Sequence, residues 1–233
     1  MLYRVTTVMA LIAPSLLAGD FARLGEALRV IQEAGAPMVH VDVMDGHFVP
    51  DITVGQPVVR SLRKATRLVL DVHLLIERPE RYTAEFVEAG ADRVAVHAES
   101  TPHLHRVLEQ IRARGAKAGV ALNPATPVES VVDMLGEIDF LSVLSADPGS
   151  EEQAFIARST AKVHAAARAR KERQLGLAIQ VEGGIGFDQI EELVRAGADI
   201  LVVGSAIFDN DDPKARLKEM IRLASAVRQT ASV

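Results

Sequence analysis

Residues 33–45 read EAGAPMVHVDVMD, a pattern typical of a helix that ends at a glycine and passes directly into a strand. A glycine suits the left-handed cap at a helix C-terminus. In the strand that follows, valines alternate with a histidine and an aspartate. Because side chains alternate faces along a strand, His40 and Asp42 share one face while the valines point oppositely, toward the helices.

The same junction recurs along the chain. It reads EAGAP at 33–37, EAGAD at 88–92, RARGAK at 112–117 and RAGAD at 195–199. Each copy is predicted to end a helix just before a strand, so the chain has a weak internal repeat of helix and strand.

Eight β-branched runs alternate with segments of helical spacing, as expected of parallel βα units. The predicted strands are 11–17, 38–45, 68–76, 93–99, 117–123, 140–146, 177–184 and 200–206. An apolar stripe behind Asp20 predicts the first helix, Asp212 and Pro213 open the last, and the sixth helix, near 151–174, is predicted to be the longest. A doubly wound open sheet is the alternative, but eight units without a longer linker favour an α/β fold of the (β/α)₈ TIM barrel type.

Length and composition agree with one such barrel. The chain has 233 residues, close to the roughly 250 typical of this fold. We expect an N-terminal extension at 1–10 and a single barrel domain at 11–233. A net charge of −5 without long blocks of like charge argues against a nucleic-acid partner. Neither a signal peptide nor a membrane span is expected. The absence of cysteine suits a cytoplasmic protein. It also means that any metal must be held by histidines and carboxylates.

Three predicted strands place polar side chains on one face near their ends. By the alternation of side chains, His40 pairs with Asp42, Asp71 with His73, and Gln180 with Glu182. Taken singly, a strand histidine is more often a hydrogen-bonded core residue. Together, ionisable groups inside a barrel are costly unless they are paired or bound to metal. A set of His40, Asp42, His73 and Glu182 suits one divalent ion: Zn, Fe(II), Mn or Co.

Glycines after the last two strands predict a phosphate site. Gly183 and Gly184 follow the seventh strand, and Gly204 and Ser205 follow the eighth. Barrels often bind phosphate at these two loops, where glycine lets backbone N–H groups approach an anion. Each pair alone also suits an ordinary tight turn.

A series of motifs resembles the ribulose-phosphate 3-epimerase family, in order from about residue 11 to 227. The motifs are IAPSLLAGDFARLG (12–25), VHVDVMDGHFVPDITVG (39–55), LDVHLLIERPERY (70–82), AGVALNPATP (118–127), DPGSEEQAF (147–155), VEGGI (181–185) and VGSAIF (203–208). The resemblance implies a barrel of the ribulose-phosphate-binding type. It also implies epimerisation at C3 of a ketose phosphate, with an enediolate whose oxygens are bound by the metal.

The resemblance assigns roles to individual residues. The implied metal ligands are His40, Asp42, His73 and Glu182, of which Asp42 and Glu182 form the acid/base pair. The implied substrate contacts are Ser15, Met44, Gly149, Ser150, Glu151, Glu152, Gly183, Gly184, Gly204 and Ser205.

The chain also departs from the family pattern. Glu182 stands where the family has aspartate in VDGG, and the longer side chain shifts the carboxylate by roughly 1.5 Å. Residues 149–153, GSEEQ, replace a glycine-rich GFGGQ, which puts two glutamates beside the expected phosphate. Leu75 and Leu144 replace methionines.

These features predict a cytoplasmic isomerase of the pentose phosphate pathway, acting on D-ribulose 5-phosphate and D-xylulose 5-phosphate, with a small sugar phosphate as its partner and a homo-oligomeric state. Two alternatives stay open: a 3-epimerase of another ketose or ketose phosphate, such as D-allulose 6-phosphate, and a catalytically silent relative. An aldolase is disfavoured because Lys117 begins its strand rather than ending it.

Overall fold

All eight predicted strands are present in the computed structural model, which describes residues 9–150 and 154–231. They are β1 Leu11–Pro14, β2 Met38–Met44, β3 Val69–Leu75, β4 Arg93–His97, β5 Lys117–Leu122, β6 Phe140–Leu144, β7 Ala178–Glu182 and β8 Ile200–Val203. Each begins within one residue of the prediction and ends one to three residues earlier. The ends are shorter because the last residues of each predicted run form the loops above the barrel.

The strands form one parallel sheet in the order β1-β8-β7-β6-β5-β4-β3-β2. A parallel bridge between Ser15 and His40 joins the continuation of β1 to β2 and closes the ring. The predicted (β/α)₈ barrel is therefore confirmed, and the doubly wound open sheet is not. Of the predicted N-terminal extension, residues 1–8 lie outside the described part of the chain.

Helices follow the strands and pack outside the ring. They are α1 Leu24–Ala34, α2 Gln56–Ala65, α3 Thr83–Glu88, α4 Leu104–Arg112, α5 Ser159–Glu172, α6 Phe187–Ala196, α7 Ser205–Phe208 and α8 Pro213–Ala231. After β5 a 3₁₀ segment, Val128–Glu137, takes the place of an α-helix. No helix within the two described ranges is both long and apolar enough to cross a membrane.

Three details of the predicted helices were wrong. The predicted sixth helix is α5, which begins only at Ser159. The loop before it is held by a hydrogen bond from Ile156 N–H to the Ser145 carbonyl (2.7 Å). With 14 residues α5 is shorter than α8, which has 19. Asp20 caps a 3₁₀ turn rather than α1 itself, and Phe21 in that turn is 45% exposed.

The repeated glycines have the expected backbone conformation. Gly35, Gly90, Gly115 and Gly197 have φ values of 89°, 113°, 89° and 111°. These left-handed angles end the helix and redirect the chain into the next strand, so the repeat is structural.

The ring separates two cores. Outward-facing valines such as Val39, Val41 and Val43 pack with the helices. Inside the ring, a small apolar cluster around Ala13, Met38 and Ile200 fills part of the barrel. Polar side chains occupy the rest of the interior toward the C-terminal ends of β2, β3, β4 and β7, where the candidate site lies.

Candidate active site

Four predicted ligands meet at the C-terminal ends of β2, β3 and β7. They are His40, Asp42, His73 and Glu182, and each offers one ligand atom within 4.8 Å of those of the others. The two imidazole centroids lie 5.8 Å apart, so both rings can reach one ion. The alternation of side chains along each strand, which turns all four into the barrel, produces this cluster.

The distances within the cluster suit a divalent cation. His40 Nε2 lies 3.2 Å from Asp42 Oδ1 and 3.0 Å from Glu182 Oε2. His73 Nδ1 lies 3.3 Å from Asp42 Oδ1 and 3.1 Å from Glu182 Oε1. Ligand atoms around a tetrahedral ion with bonds of 2.0–2.2 Å are separated by about 3.4 Å. Among the described residues the buried Glu182 Oε2 faces no polar partner other than His40 Nε2, and a cation between these two atoms would bind both.

Asp71 and Arg93, deeper in the barrel, fix the orientation of the His40 ring. Its Nδ1 lies 2.8 Å from Asp71 Oδ2, and Asp71 in turn contacts Arg93 Nε at 2.9 Å. Burial alone would raise the pKa of Asp71, but the charge of Arg93 and the hydrogen bond from His40 lower it to about 2. The ionised carboxylate accepts the proton on Nδ1, so Nε2, which faces Asp42 and Glu182, is the nitrogen of His40 that would bind a cation.

Arg93 is itself held inside the barrel. Its Nη2 donates to Gln180 Oε1 (2.8 Å), and its guanidinium lies 3.9 Å from the centre of the Phe140 ring. The ring fits only because residue 119, the register partner of Phe140, is glycine: a Cβ there would lie 2.3 Å from the ring. These groups form the layer of side chains beneath the cluster.

The cluster holds its two carboxylates in the ionised form. Burial disfavours the charged forms of Asp42 and Glu182, but the imidazoles beside them outweigh burial and lower the pKa of both. For the same reason the pKa of His40 is raised well above its ordinary value, although burial opposes the shift. Without a cation, a proton on imidazole therefore balances the negative charge.

Glu182 reaches the cluster despite being one methylene longer than aspartate. Ser142 Oγ on β6 donates to Glu182 Oε1 (3.0 Å), and Ser145 Oγ donates to the Glu182 carbonyl (2.9 Å). The longer side chain is therefore accommodated by partners on the neighbouring strand and the loop after it.

A cavity of about 260 Å³ opens above the cluster. Its lining consists of Ser15, Leu17, Ala18, Asp42, Met44, His73, Leu75, Leu144, Ala146, Pro148, Gly149, Glu182, Gly183, Gly184, Ile185, Val202, Gly204 and Ser205. The predicted contacts therefore share one cavity, with three exceptions. Ser150 is not part of the lining, and Glu151 and Glu152 lie outside the described residues.

A second wall of the cavity, the glycine wall, is formed by the turns after β7 and β8. Gly183 and Gly184, directly after β7, have φ values of 108° and 65°. A Cβ on Gly183 would lie 2.6 Å from the backbone nitrogen of Ala146, so this turn admits no side chain. Gly204 and Ser205 join the wall where β8 passes into α7.

Two residues beside the cluster were missed by the sequence prediction. His97, at the end of β4, places Nε2 3.0 Å from His73 Nε2 and Nδ1 3.1 Å from Glu99 Oε2. Burial lowers the pKa of His97. It would raise that of Glu99, but hydrogen bonds from His97, Thr126 and the Asn123 N–H lower it to about 2. The alternation in HAE, 97–99, is the same signal as in HVD, 40–42, and could have revealed the pair.

Fold and site together define a class: a (β/α)₈ barrel enzyme with a histidine–carboxylate centre that could hold a metal ion at the C-terminal ends of its strands. A sequence model of the ribulose-phosphate 3-epimerase family matches residues 11–208. The chain belongs to the ribulose-phosphate 3-epimerase family.

Individual relatives agree with this membership. The chain is 42% identical over 213 residues to the ribulose-phosphate 3-epimerase of Bacillus subtilis, covering 91% of this chain and 98% of that protein. It is 44% identical over 216 residues to the protein of the same name from Mycobacterium tuberculosis, covering 93% of both chains. Among solved structures, a thiamine phosphate pyrophosphorylase from Pyrococcus furiosus aligns with a TM-score of 0.66 at 17% identity, covering 94% of this chain and 97% of that one. That likeness concerns the fold alone.

Proposed function

We propose that the protein is a metal-dependent 3-epimerase that interconverts D-ribulose 5-phosphate and D-xylulose 5-phosphate. The observation that carries the proposal is the pair of carboxylates, Asp42 and Glu182, held beside two imidazoles at a cavity that glycine turns also line. The names of its relatives support the same activity for this chain.

Inversion at C3 needs a proton removed from one face and returned to the other. One carboxylate takes the C3 proton, the electrons of that bond form a C2–C3 double bond, and the C2 carbonyl oxygen becomes negative. The other carboxyl group then donates its proton to the opposite face of C3 and restores the carbonyl. A divalent cation, when bound, supplies positive charge that offsets the charge developing on the substrate oxygens.

The two carboxyl groups must differ by one proton when the reaction starts. Both are ionised in the ligand-free site, where the imidazoles lower their pKa. A dianionic substrate raises the pKa of nearby carboxyl groups, because like charges disfavour ionisation. One group then carries the proton that the other lacks, and a turnover exchanges their roles.

The glycine wall is assigned to the phosphate. Gly183, Gly184, Gly204 and Ser205 line the cavity, where glycine lets backbone N–H groups approach an anion, and Gly149 lines it from the loop after β6. Ser15, whose hydroxyl donates to Asp42 Oδ2 (2.8 Å), and Met44 are assigned to the sugar. We include Ser150, Glu151 and Glu152 in the proposed phosphate loop on the resemblance of the sequence.

Three further assignments extend the proposal. The histidine and carboxylate ligands suit Zn, Fe(II), Mn or Co. A cytoplasmic location follows from the substrate, because a dianionic sugar phosphate does not cross a lipid bilayer unaided. A homo-oligomer is proposed on the resemblance to the family alone.

The test is interconversion by purified protein loaded with each of the four metals in turn. We expect both pentulose phosphates to be epimerised and D-allulose 6-phosphate and unphosphorylated ketoses to react much more slowly. A Glu182→Asp variant separates an adapted site from a silent relative. We expect it to lose roughly 10²-fold in kcat/KM, as displaced catalytic groups do, because Ser142 holds the longer side chain. A protein that binds metal but turns over neither substrate would contradict the proposal.

A further inference from the structure

A chain of hydrogen bonds leads away from the cavity through His73. His73 Nε2 lies 3.0 Å from His97 Nε2, and His97 Nδ1 lies 3.1 Å from Glu99 Oε2. The other carboxylate oxygen, Glu99 Oε1, accepts the Asn123 N–H (2.9 Å) and the Thr126 hydroxyl. Nothing in the proposed reaction uses His97 or Glu99 directly.

The positions of the protons in these hydrogen bonds follow from the carboxylate of Glu99. An ionised carboxylate only accepts hydrogen bonds, so His97 Nδ1 must donate to Glu99. His97 is completely buried, and its ring proton on Nδ1 is used in the hydrogen bond to Glu99. Its Nε2 is then an acceptor, so His73 Nε2 must donate to it. The ring proton of His73 is thereby held on Nε2, and Nδ1, which faces Asp42 and Glu182, is the nitrogen that would bind a cation.

We propose that His97 and Glu99 are positioning residues that fix the tautomer of His73, so that its Nδ1 is available as a metal ligand. The inference rests on the metal site of the proposed function. A ligand histidine whose second nitrogen donates to a carboxylate or carbonyl is common. Here one histidine, His40, has that direct support from Asp71, whereas His73 is supported by a carboxylate acting through a second imidazole.

Packing fixes the orientation of the His97 ring relative to the His73 ring. The rings of His73 and His97 meet edge to edge through their Nε2 atoms, with centroids 4.9 Å apart and an interplanar angle of 24°. On its other side His97 contacts the Phe48 ring at 4.7 Å. His97 therefore has little freedom to turn away from either hydrogen bond.

A substitution at Glu99 can reverse the donor and acceptor roles along these hydrogen bonds without changing the proposed metal ligands. In Glu99→Gln, an amide N–H₂ facing His97 Nδ1 makes that nitrogen an acceptor. The proton of His97 then moves to Nε2, and that of His73 moves to Nδ1, where it blocks the metal. Turning the amide around only moves the conflict to the Asn123 N–H. Thr126→Val is the matched control, because it removes a hydrogen bond to Glu99 and leaves the His97 side intact.

The first measurement is the affinity of the purified full-length protein for Zn²⁺, by competition with a chelator. We expect Glu99→Gln to weaken binding by a factor of roughly 10 to 100, the usual effect of removing such support, and Thr126→Val by less than about threefold. Equal affinities in wild type and Glu99→Gln, or equal losses in both variants, would overturn the inference. A wild-type protein that binds no Zn²⁺ would instead overturn the metal site on which it rests.

The second measurement reports the proton itself. In zinc-loaded protein with ¹⁵N-labelled histidine, the wild-type spectrum should show His73 protonated on Nε2 only and His97 on Nδ1 only. Metal-free Glu99→Gln at high pH should show both assignments reversed. An unchanged pattern in a folded variant contradicts the inference, and thermal unfolding without metal verifies that the variant is folded.

A third variant guards against a general loss of packing. His97→Phe keeps a ring between His73 and Phe48 but removes the acceptor, so it should also weaken zinc binding by roughly 10- to 100-fold. Because the two residues act in series, the double variant His97→Phe/Glu99→Gln should bind zinc no more weakly than His97→Phe alone. Additive losses would show two independent structural effects and would refute the inference.

Discussion

The two walls of the cavity are built on different principles. The wall that we call catalytic, for its proposed role, consists of Asp42, His73 and Glu182, with the fully buried His40 beside them. The glycine wall, which we call the phosphate wall for its proposed ligand, consists of the turns after β7 and β8. The proposed role of the first wall depends on the protonation states of its side chains. That of the second depends on the path of the main chain.

This difference determines what each wall tolerates. On the catalytic wall most polar atoms have a partner deeper in the barrel or on a neighbouring strand, as His40 has Asp71 and Glu182 has Ser142. A change there alters charge and proton position while the fold remains. On the phosphate wall a methyl group added at Gly183 collides with the backbone of Ala146. A change there alters shape, and affects binding more than chemistry.

The largest effect is expected from removing either carboxylate. Asp42→Asn or Glu182→Gln should lower kcat by roughly 10²- to 10⁴-fold, the usual contribution of a general acid or base. Hydrogen exchange from solvent into C3 distinguishes the two groups, since each variant should still exchange one of the two epimers through its remaining carboxylate. Asp51→Asn, at an exposed aspartate outside the catalytic wall, is the control and should retain full activity. Exchange that disappears for both epimers in a folded single variant would argue against two opposed bases.

Lowering the pH should weaken metal binding at the catalytic wall. The pKa of His40 in the cation-free site is raised well above its ordinary value, so a cation must displace a proton at neutral and lower pH. Zn²⁺ affinity should fall by roughly tenfold per pH unit per displaced proton between pH 8 and 6. Titration in buffers of different ionisation enthalpy should show proton release on binding.

The sign of this linkage also predicts the stability of the cation-free protein. A raised pKa means that the proton on His40 stabilises the fold fully below the unfolded value of about 6.5 and less as pH rises through the folded value. The melting temperature with chelator should therefore decline above neutral pH, while that of the zinc-loaded protein rises. Parallel curves would show that His40 does not exchange its proton for the metal.

A smaller effect is expected on the phosphate wall. Gly183→Ala should raise KM for the phosphorylated substrate by about tenfold and destabilise the protein by about 1–3 kcal/mol, as for other residues forced into left-handed backbone. Saturation kinetics and thermal unfolding measure the two effects. Gly25→Ala is the matched control, because a Cβ there meets nothing within 4 Å and α1 is helical. A kcat loss at Gly183 as large as that at Asp42 would erase the distinction between the walls.

The sequence predicted the catalytic wall better than its surroundings. Alternation along β2, β3 and β7 is a local property, so it placed His40, Asp42, His73 and Glu182 on inner faces without knowledge of the barrel. The glycines at 35, 90, 115 and 197 likewise indicated the junctions. The hydrogen bond from Ser142 to Glu182 depends on register between β6 and β7, which periodicity alone does not supply.

Other features depended on contacts between distant segments. Alternation could indicate His97 and Glu99 as a pair, but their link to His73 depends on β4 lying beside β3, because the bond from His97 to His73 crosses those two strands. The 3₁₀ segment after β5 and the late start of α5 reflect local competition for backbone hydrogen bonds. Glu151 and Glu152, which motivated the alternative of a different ketose, lie outside the described residues. The substrate panel is therefore the experiment that bears on them.

Beneath both walls, the contact between residue 119 and Phe140 has an evolutionary consequence. As long as Phe140 supports Arg93, any side chain at position 119 must enter the space of the ring. Neither position can change alone without displacing the arginine that anchors Asp71 and, through it, His40. Homologues that lack this glycine should therefore also lack the phenylalanine, and the two positions should be inherited as a pair.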